Sequence, residues 1–246
     1  EVVEVPPLTD QELAQAVATI PQLSVALHNE NLKRLLRSPY LLDKAARMDW
    51  SDTEKFPTNE QEFRRRCWGE VIRCNAVVSD GMPERRERVF EGVALRRARQ
   101  LRPFVGIEDL DAAALESLRK DGLIVYSPEA ASMAAPGHDV LEDWAIIQWL
   151  SRRWMLHERT AKPLAEDVGG YPAIRRAYRK WLSELLRGET AAATNFVLSV
   201  FRDETLPAYF RDDTLVCTLQ SPSAREFLER HCETLFEDGG HLLVRV

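Results

Sequence analysis

Few side chains in this sequence are spaced in a way that could support chemistry. His138 is followed directly by Asp139 at the start of a predicted helix, and these two residues either cap that helix or contribute to a binding site. The other histidines show no spacing typical of metal ligands: His28, His157, His231 and His241. No serine or cysteine has a histidine and an acid in a context typical of an activated nucleophile. The residues alone therefore predict no catalytic or metal site.

Glycine is scarce, with 11 residues in 246. Phosphate-binding loops need closely spaced glycines because the backbone must approach the ligand. Apart from two adjacent pairs, no two glycines are closer in the sequence than Gly81 and Gly92. Neither the Walker A pattern nor the dinucleotide-binding pattern of glycines can be written anywhere in the chain. These 246 residues are therefore not a P-loop or Rossmann nucleotide enzyme by themselves.

The composition indicates a globular protein with a sizeable core. Hydrophobic residues make up 45% of the chain, charged residues 29%, and the net charge is −6. This charge gives no overall attraction to nucleic acid or to anionic membranes, and no apolar run is long enough to span a bilayer. The four cysteines fit neither a zinc pattern nor a disulfide scaffold, which favours the cytoplasm. The first residue is Glu1 rather than Met, so we expect a piece of a longer protein.

The apolar spacing predicts a mostly α-helical fold. We predict a small helical domain at 1–57, a connecting helix at 58–80, a winged-helix domain with a short β-hairpin at 81–156, and a helical array at 157–246 that begins an α-solenoid. Thr9 and Glu12 form a predicted capping box, and Pro39 lies in the first turn of a helix. Further predicted helices cover 59–78, 84–102, 111–121, 139–156, 172–187, 190–201, 204–210 and 222–236, with strands at 123–126 and 131–135.

A winged helix often reads DNA through the helix that precedes its hairpin. Here that helix, 111–121, has three acidic residues against two basic ones, so DNA is an unlikely partner and the winged helix has a structural role. The helix at 84–102 carries seven arginines: Arg85, Arg86, Arg88, Arg96, Arg97, Arg99 and Arg102. They form either a phosphate or nucleic-acid patch or a solvated face balanced by nearby glutamates, and we favour the solvated face. The same interpretation applies to Arg64–Arg66.

Two segments resemble motifs of the STAND signalling ATPases, the NACHT and NB-ARC proteins that include NOD-like immune receptors and bacterial antiviral defence proteins. The segment 35–42, LLRSPYLL, is similar to the motif of their small helical domain, and 135–145, APGHDVLEDWA, is similar to their winged-helix signature. The opening residues 2–12 resemble the segment that leaves the last sheet strand of the ATPase core. The resemblance covers residues 1–156, whereas 157–246 match only as generic helices.

The resemblance implies a nucleotide site shared with a core that this chain lacks. In that family the helical-domain proline packs near the base, and the winged-helix histidine reaches the β-phosphate of ADP. These roles map onto Pro39 and His138, and an imidazole N–H beside phosphate is a charge-assisted donor. Gly137 departs from the family, which more often has a larger or hydroxyl residue there. The cofactors implied are ADP or ATP with Mg²⁺ in the parent protein, with none expected in the isolated fragment.

The resemblance therefore implies the regulatory region of a STAND-type NTPase. It would close over ADP in the resting state and couple nucleotide exchange to assembly or signalling. The partners would be the upstream NTPase core and other proteins or copies contacted through the helical array, with no membrane. The fragment alone would not be an enzyme, although its parent would be an ATPase. Two alternatives stay open: a winged-helix DNA-binding regulator with a helical effector domain, and a helical protein-interaction scaffold.

Overall fold

A computed structural model describes residues 6–51, 56–75, 81–188 and 190–236, and it confirms a mostly α-helical fold with a short β-hairpin. The chain divides into two compact units. The first comprises residues 1–93 and 106–138, and the second comprises 94–105 and 139–246. The two units meet after residues 93, 105 and 138, whereas the domain boundaries were expected near 57, 80 and 156. The expected domains stay predictions.

The first unit begins with short helices whose starts follow the predicted capping signals. They are α1 (Asp10–Thr19), α2 (Leu23–Leu27), α3 (Glu30–Leu36) and α4 (Pro39–Ala46). The capping box of Thr9 and Glu12 is confirmed, since each side chain accepts from the other residue's backbone N–H. Pro39 is the first residue of α4, where a missing N–H costs nothing. Residues 2–5 of the predicted opening segment lie outside the described residues.

The predicted helix over 59–78 ends earlier than expected, after Ile72. Helix α5 (Glu60–Cys67) continues only into a π-helical turn at Trp68–Ile72, and Cys74 has a left-handed φ of 57°. The reason is visible at the end of the turn, where the carbonyls of Val71 and Ile72 accept hydrogen bonds from the side chain of Arg86. A continuing helix would use those carbonyls for its own backbone. Val78 of this prediction lies outside the described residues.

The predicted order of helix, helix, strand, turn, strand and helix is present. It consists of α6 (Met82–Gln100), α7 (Ala112–Lys120), β2 (Ile124–Tyr126), β3 (Met133–Pro136) and α8 (Asp139–Leu156), with the two-residue β1 (Val105–Gly106) between α6 and α7. The strand order is β1-β3-β2. Strands β2 and β3 pair antiparallel, with Val125 opposite Ala135. The hairpin therefore follows α7 as a winged helix requires.

Two neighbouring arginines of α6 bind the two ends of α7. Arg85 makes a bidentate ion pair with Asp111, at 2.5 and 2.8 Å, and the same carboxylate caps α7 by accepting from Ala113 and Ala114. At the other end, Nη2 of Arg86 lies 2.7 Å from Oδ2 of Asp121. Helix α7 is thus fixed against α6 at both ends.

The solvated-face interpretation of the arginines is wrong for Arg86 and Arg64, whose side chains are buried. Arg86 is 2% exposed, and besides Asp121 it binds the carbonyls of Val71 and Ile72 and the hydroxyl of Ser117. A buried guanidinium is tolerated only where its donors are satisfied. Charge counting along one helix cannot reveal such partners, because they belong to other elements.

The second unit consists of α8 followed by further helices. These are α9 (Ala161–Val168), α10 (Pro172–Arg187), α11 (Ala191–Arg202), α12 (Ala208–Leu219) and α13 (Ala224–Phe236). The ranges predicted for α8 and α10 are confirmed. The helix predicted at 204–210 is wrong, because Pro207 precedes the first turn of α12 and the helix extends from there to Leu219. Helix α9 was not predicted.

Aromatic side chains from α8, α10, α11 and α12 form the centre of this unit. Trp154 and Trp181 meet edge to face at 5.5 Å, and Phe196 packs edge-on against both. Tyr178 stacks on Phe210 and hydrogen-bonds the hydroxyl of Thr214. In the part of the chain that the structure describes, no helix is both long enough and apolar enough to cross a membrane.

Replacing Arg86 by alanine should lower the free energy of unfolding by about 3–5 kcal/mol, because two buried carbonyls and Asp121 lose their donor. Urea denaturation followed by circular dichroism measures this loss. Arg88→Ala is the matched control, since Arg88 is exposed on the same helix, and it should change stability by less than about 0.5 kcal/mol. Equal stability of the two variants would show that Arg86 does not hold the unit together.

The ion pair with Arg85 gives a second prediction, in the dependence of stability on pH. Hydrogen bonds from Arg85 and from the N-terminal amides of α7 lower the pKa of Asp111 to about 2. A lowered pKa adds stability that is present above the unfolded pKa and lost as pH falls through the folded value. Asp111→Asn keeps the cap but removes the charge, so its deficit against the native chain should shrink between about pH 4 and pH 2.

Urea midpoints at about pH 7, 4 and 2.5 test this linkage. Asp212→Asn, which makes the same change at an exposed carboxylate, serves as the control for replacing an acid by its amide. A deficit for Asp111→Asn that stays constant across the series would mean that the ion pair carries no pH-dependent stability.

Candidate functional site

His138 is positioned by a close approach of two backbone segments. It lies between the end of β3 and the start of α8, directly after Gly137. The N–H of Gly137 donates to the carbonyl of Leu123 at 2.7 Å. A Cβ atom at residue 137 would stand 2.6 Å from the carbonyl oxygen of Gly122, closer than real contacts allow. The chain can therefore take this path only with glycine before His138.

The backbone that Gly137 approaches is the turn that ends α7. Gly122 has a left-handed φ of 65°, which suits glycine after a helix C-terminus. The carbonyl of the preceding Asp121 accepts hydrogen bonds from Nζ of Lys44 at 3.3 Å and from Nη1 of Arg47 at 2.9 Å. Helix α4 is thereby attached to the same turn that supports Gly137.

The ring of His138 stacks on the ring of Tyr40. Their centroids are 4.4 Å apart and the planes differ by 22°. Tyr40 is the second residue of α4, directly after Pro39. The stack therefore joins the helical-domain segment and the winged-helix segment that the sequence singled out, and both belong to the first unit.

The ring of Tyr40 is held firmly on the α4 side. Nζ of Lys44, one helical turn further on, lies 4.8 Å from the ring centroid, within the range of a cation–π contact. Lys44 is itself 2% exposed and pairs with Asp43 at 3.0 Å. Burial raises the pKa of the Tyr40 hydroxyl well above its usual range, and that hydroxyl has no hydrogen-bond partner among the described residues. Tyr40 thus contributes to this contact through its ring.

The two site residues predicted from the resemblance occupy different environments. His138 is half-buried in the stack, whereas Pro39 is exposed in the first turn of α4. The structure brings the residue after Pro39, rather than Pro39 itself, into contact with His138. Nucleotide contacts of Pro39 and His138 stay predictions. Sequence reasoning missed the roles of Tyr40 and Lys44, because helical spacing marks Tyr40 only as part of an apolar face.

The acidic residues after His138 bind an arginine within the second unit. Asp139 is the first residue of α8, and its carboxylate accepts from Nη1 of Arg97 at 2.7 Å. The same nitrogen lies 2.5 Å from a carboxylate oxygen of Glu142, which is 6% exposed. Burial raises the pKa of Glu142 even though Arg97 opposes the shift. The carboxylate of Asp139 therefore pairs with a cation, which the cap interpretation did not foresee.

One basic side chain on the surface of α7 is paired with an acidic neighbour of the same helix. Arg119 makes two hydrogen bonds to the carboxylate of Glu116, at 2.7 and 2.8 Å. An arginine engaged in this way offers less to phosphates or to base edges than a solvated one.

The described residues contain no group of three or more histidine, cysteine or acidic side chains that could hold a metal ion. An open depression on the second unit is lined by residues of α11 and the residue that follows it: Asn195, Leu198, Ser199, Arg202 and Asp203. None of these belongs to the motifs identified in the sequence, so the stack around His138 is the best candidate site.

Comparison with known proteins adds no family to this picture. No protein-family model matches the chain, and no curated protein matches it.

The close approach at Gly137 can be tested by adding one methyl group. Gly137→Ala should destabilise the chain by about 1–3 kcal/mol, because the new Cβ meets a backbone carbonyl that cannot yield easily. Gly170→Ala is the matched control, since nothing lies within 4 Å of a Cβ at that residue. Urea denaturation of both variants measures the effect, and a neutral Gly137→Ala would contradict the packing described here.

Proposed function

We propose that this chain is the regulatory region of a STAND-type signalling NTPase, in which His138 holds ADP in the resting state. The observation that carries the proposal is the stack of His138 on Tyr40. It places the two segments that resemble STAND motifs side by side, although they are far apart in the sequence. Motifs that resemble a family only by chance have no reason to meet in the fold.

The arrangement around the stack fits a role in closing over a nucleotide. Helix α4 and the segment before His138 both contact the Asp121–Gly122 turn, so one turn positions residues of both segments. In this proposal ADP binds between the first unit and an NTPase core encoded upstream. Exchange of ADP for ATP releases the closed state and allows assembly or signalling through the helical array.

His138 is the residue suited to the phosphate. An imidazole N–H beside a phosphate forms a charge-assisted hydrogen bond, about twice as strong as a neutral one. Two basic side chains of α4, Lys44 and Arg47, donate to the carbonyl of Asp121 and so hold the turn rather than reach for a ligand. One histidine donor cannot hold a nucleotide alone, so the core must supply the phosphate loop, the Mg²⁺ ligands and most of the affinity.

The structure favours neither alternative over this proposal. A DNA-binding regulator would need free basic or amide side chains on α7, where Arg119 is paired with Glu116. A plain helical scaffold would give no reason for Gly137 to be packed against Gly122 directly before a half-buried histidine.

The coding sequence upstream of Glu1 gives the most direct test. We expect a Walker A motif about 150–200 residues before it, a domain-sized distance. An upstream region without any nucleotide-binding motif would refute the proposal. The 246-residue chain by itself should bind ADP no better than about millimolar in calorimetry, so affinity in the micromolar range would also count against a shared site.

In the parent protein, His138→Ala should speed ADP release by about tenfold to a hundredfold, because a hydrogen bond to a charged group is lost. Stopped-flow displacement of a fluorescent ADP analogue measures the rate, and self-assembly should rise with it. His28→Ala is the matched control, since the ring of His28 is exposed and donates to the carbonyl of Ser24 in its own segment. ADP release that is the same in both variants would remove His138 from the site.

A further inference from the structure

Resting on the proposed function, we infer that Tyr40 is a positioning residue for His138. Its ring fixes the orientation of the imidazole, so the strength of the stack sets how readily His138 leaves the phosphate. The stack was not indicated by any motif, and it brings a ring of α4 into direct contact with the histidine.

The ring of Tyr40 is supported by a buried cation. Its ring lies 4.8 Å from the ammonium of Lys44, which is 2% exposed. That ammonium is held in turn by the carboxylate of Asp43 and the carbonyl of Asp121. An aromatic ring supported in this way presents a fixed surface to its neighbour.

The backbone before His138 is positioned separately from Tyr40. The N–H of Gly137 donates to the carbonyl of Leu123, and a Cβ at residue 137 would meet the carbonyl oxygen of Gly122. With the backbone placed in this way, the orientation of the imidazole depends on its side-chain torsions. Stacking on Tyr40 restricts those torsions.

A single hydrogen-bond donor binds phosphate most strongly when its orientation is already set before binding. One imidazole N–H contributes to phosphate binding only when it points at the oxygen, and a freely rotating ring loses part of that contribution. Aromatic stacking is worth enough to change an equilibrium by about two- to tenfold. Tyr40 therefore acts through His138 and needs no contact with the nucleotide.

The hydroxyl of Tyr40 provides a matched pair of variants. Because it is buried without a hydrogen-bond partner among the described residues, Tyr40→Phe keeps the ring and removes only an unsatisfied group. Tyr40→Leu keeps an apolar side chain of similar reach but removes the aromatic face. The two variants separate stacking from simple filling of space.

The first measurement uses the 246-residue chain and histidine-labelled NMR. The carbon-bound ring protons of His138, assigned with His138→Gln, should be shifted upfield by the Tyr40 ring. That shift should persist in Tyr40→Phe and be lost in Tyr40→Leu, with circular dichroism confirming that each variant is folded. Ring protons at ordinary positions in the folded native chain would overturn the stack and with it the positioning role of Tyr40. The proposed function would lose its supporting contact, and the upstream sequence and the ADP release rate of His138→Ala would then decide it separately.

The second measurement uses the parent protein and the release of fluorescent ADP. Tyr40→Leu should speed release by about two- to tenfold, Tyr40→Phe should match the native rate, and the double variant Tyr40→Leu with His138→Ala should be no faster than His138→Ala alone. If His138→Ala speeds release but Tyr40→Leu does not, the positioning role is wrong. If His138→Ala itself has no effect, the proposed function fails instead.

Discussion

The packing of the first unit depends on the contacts of the Arg86 guanidinium. It lies 2% exposed between the end of the π-helical turn and the end of α7. It donates to the carbonyls of Val71 and Ile72 and pairs with the carboxylate of Asp121. A buried cation carries a desolvation penalty of several kcal/mol, so the fold is stable only when all these acceptors are in place. Arg86 thus selects one arrangement of three helical segments over other ways of packing the same apolar faces.

Asp121 connects Arg86 to the candidate site. Its carboxylate pairs with Arg86, and its backbone carbonyl accepts from Lys44 and Arg47 of α4. The following residue, Gly122, is the one that Gly137 approaches so closely. The turn after α7 therefore connects α6, α4 and the segment before His138, and each of these contacts restricts where the imidazole can lie.

The parts of the fold that the sequence predicts are those set by local chemistry. The capping box at Thr9, Pro39 in the first turn of α4, and the ranges of α8 and α10 all follow from signals within a few residues. The π-helical turn at 68–72 does not follow from local signals. Its last carbonyls accept hydrogen bonds from Arg86, which lies in another helix. A run of arginines suggests a solvated face, and only the fold shows which of them finds buried acceptors.

The same distinction explains what sequence reasoning found and missed around His138. A histidine before an acidic helix start is recognisable locally, but the ring that stacks on it comes from a helix almost a hundred residues earlier. Aromatic residues on apolar helix faces are common in cores, so nothing in the spacing separates Tyr40 from its neighbours.

Gly137 is the residue through which the path of the backbone determines the geometry of the stack. A side chain at this residue would push the end of β3 away from the carbonyl of Gly122. Without one, the backbone passes close to the turn after α7, to which Lys44 and Arg47 also attach α4. On this path the ring of His138 lies against the ring of Tyr40, with the two ring centroids 4.4 Å apart. The chain has few glycines, and the one before His138 is required because two backbone segments nearly touch there. This close approach leaves the imidazole beside α4, where the ring of Tyr40 stacks on it.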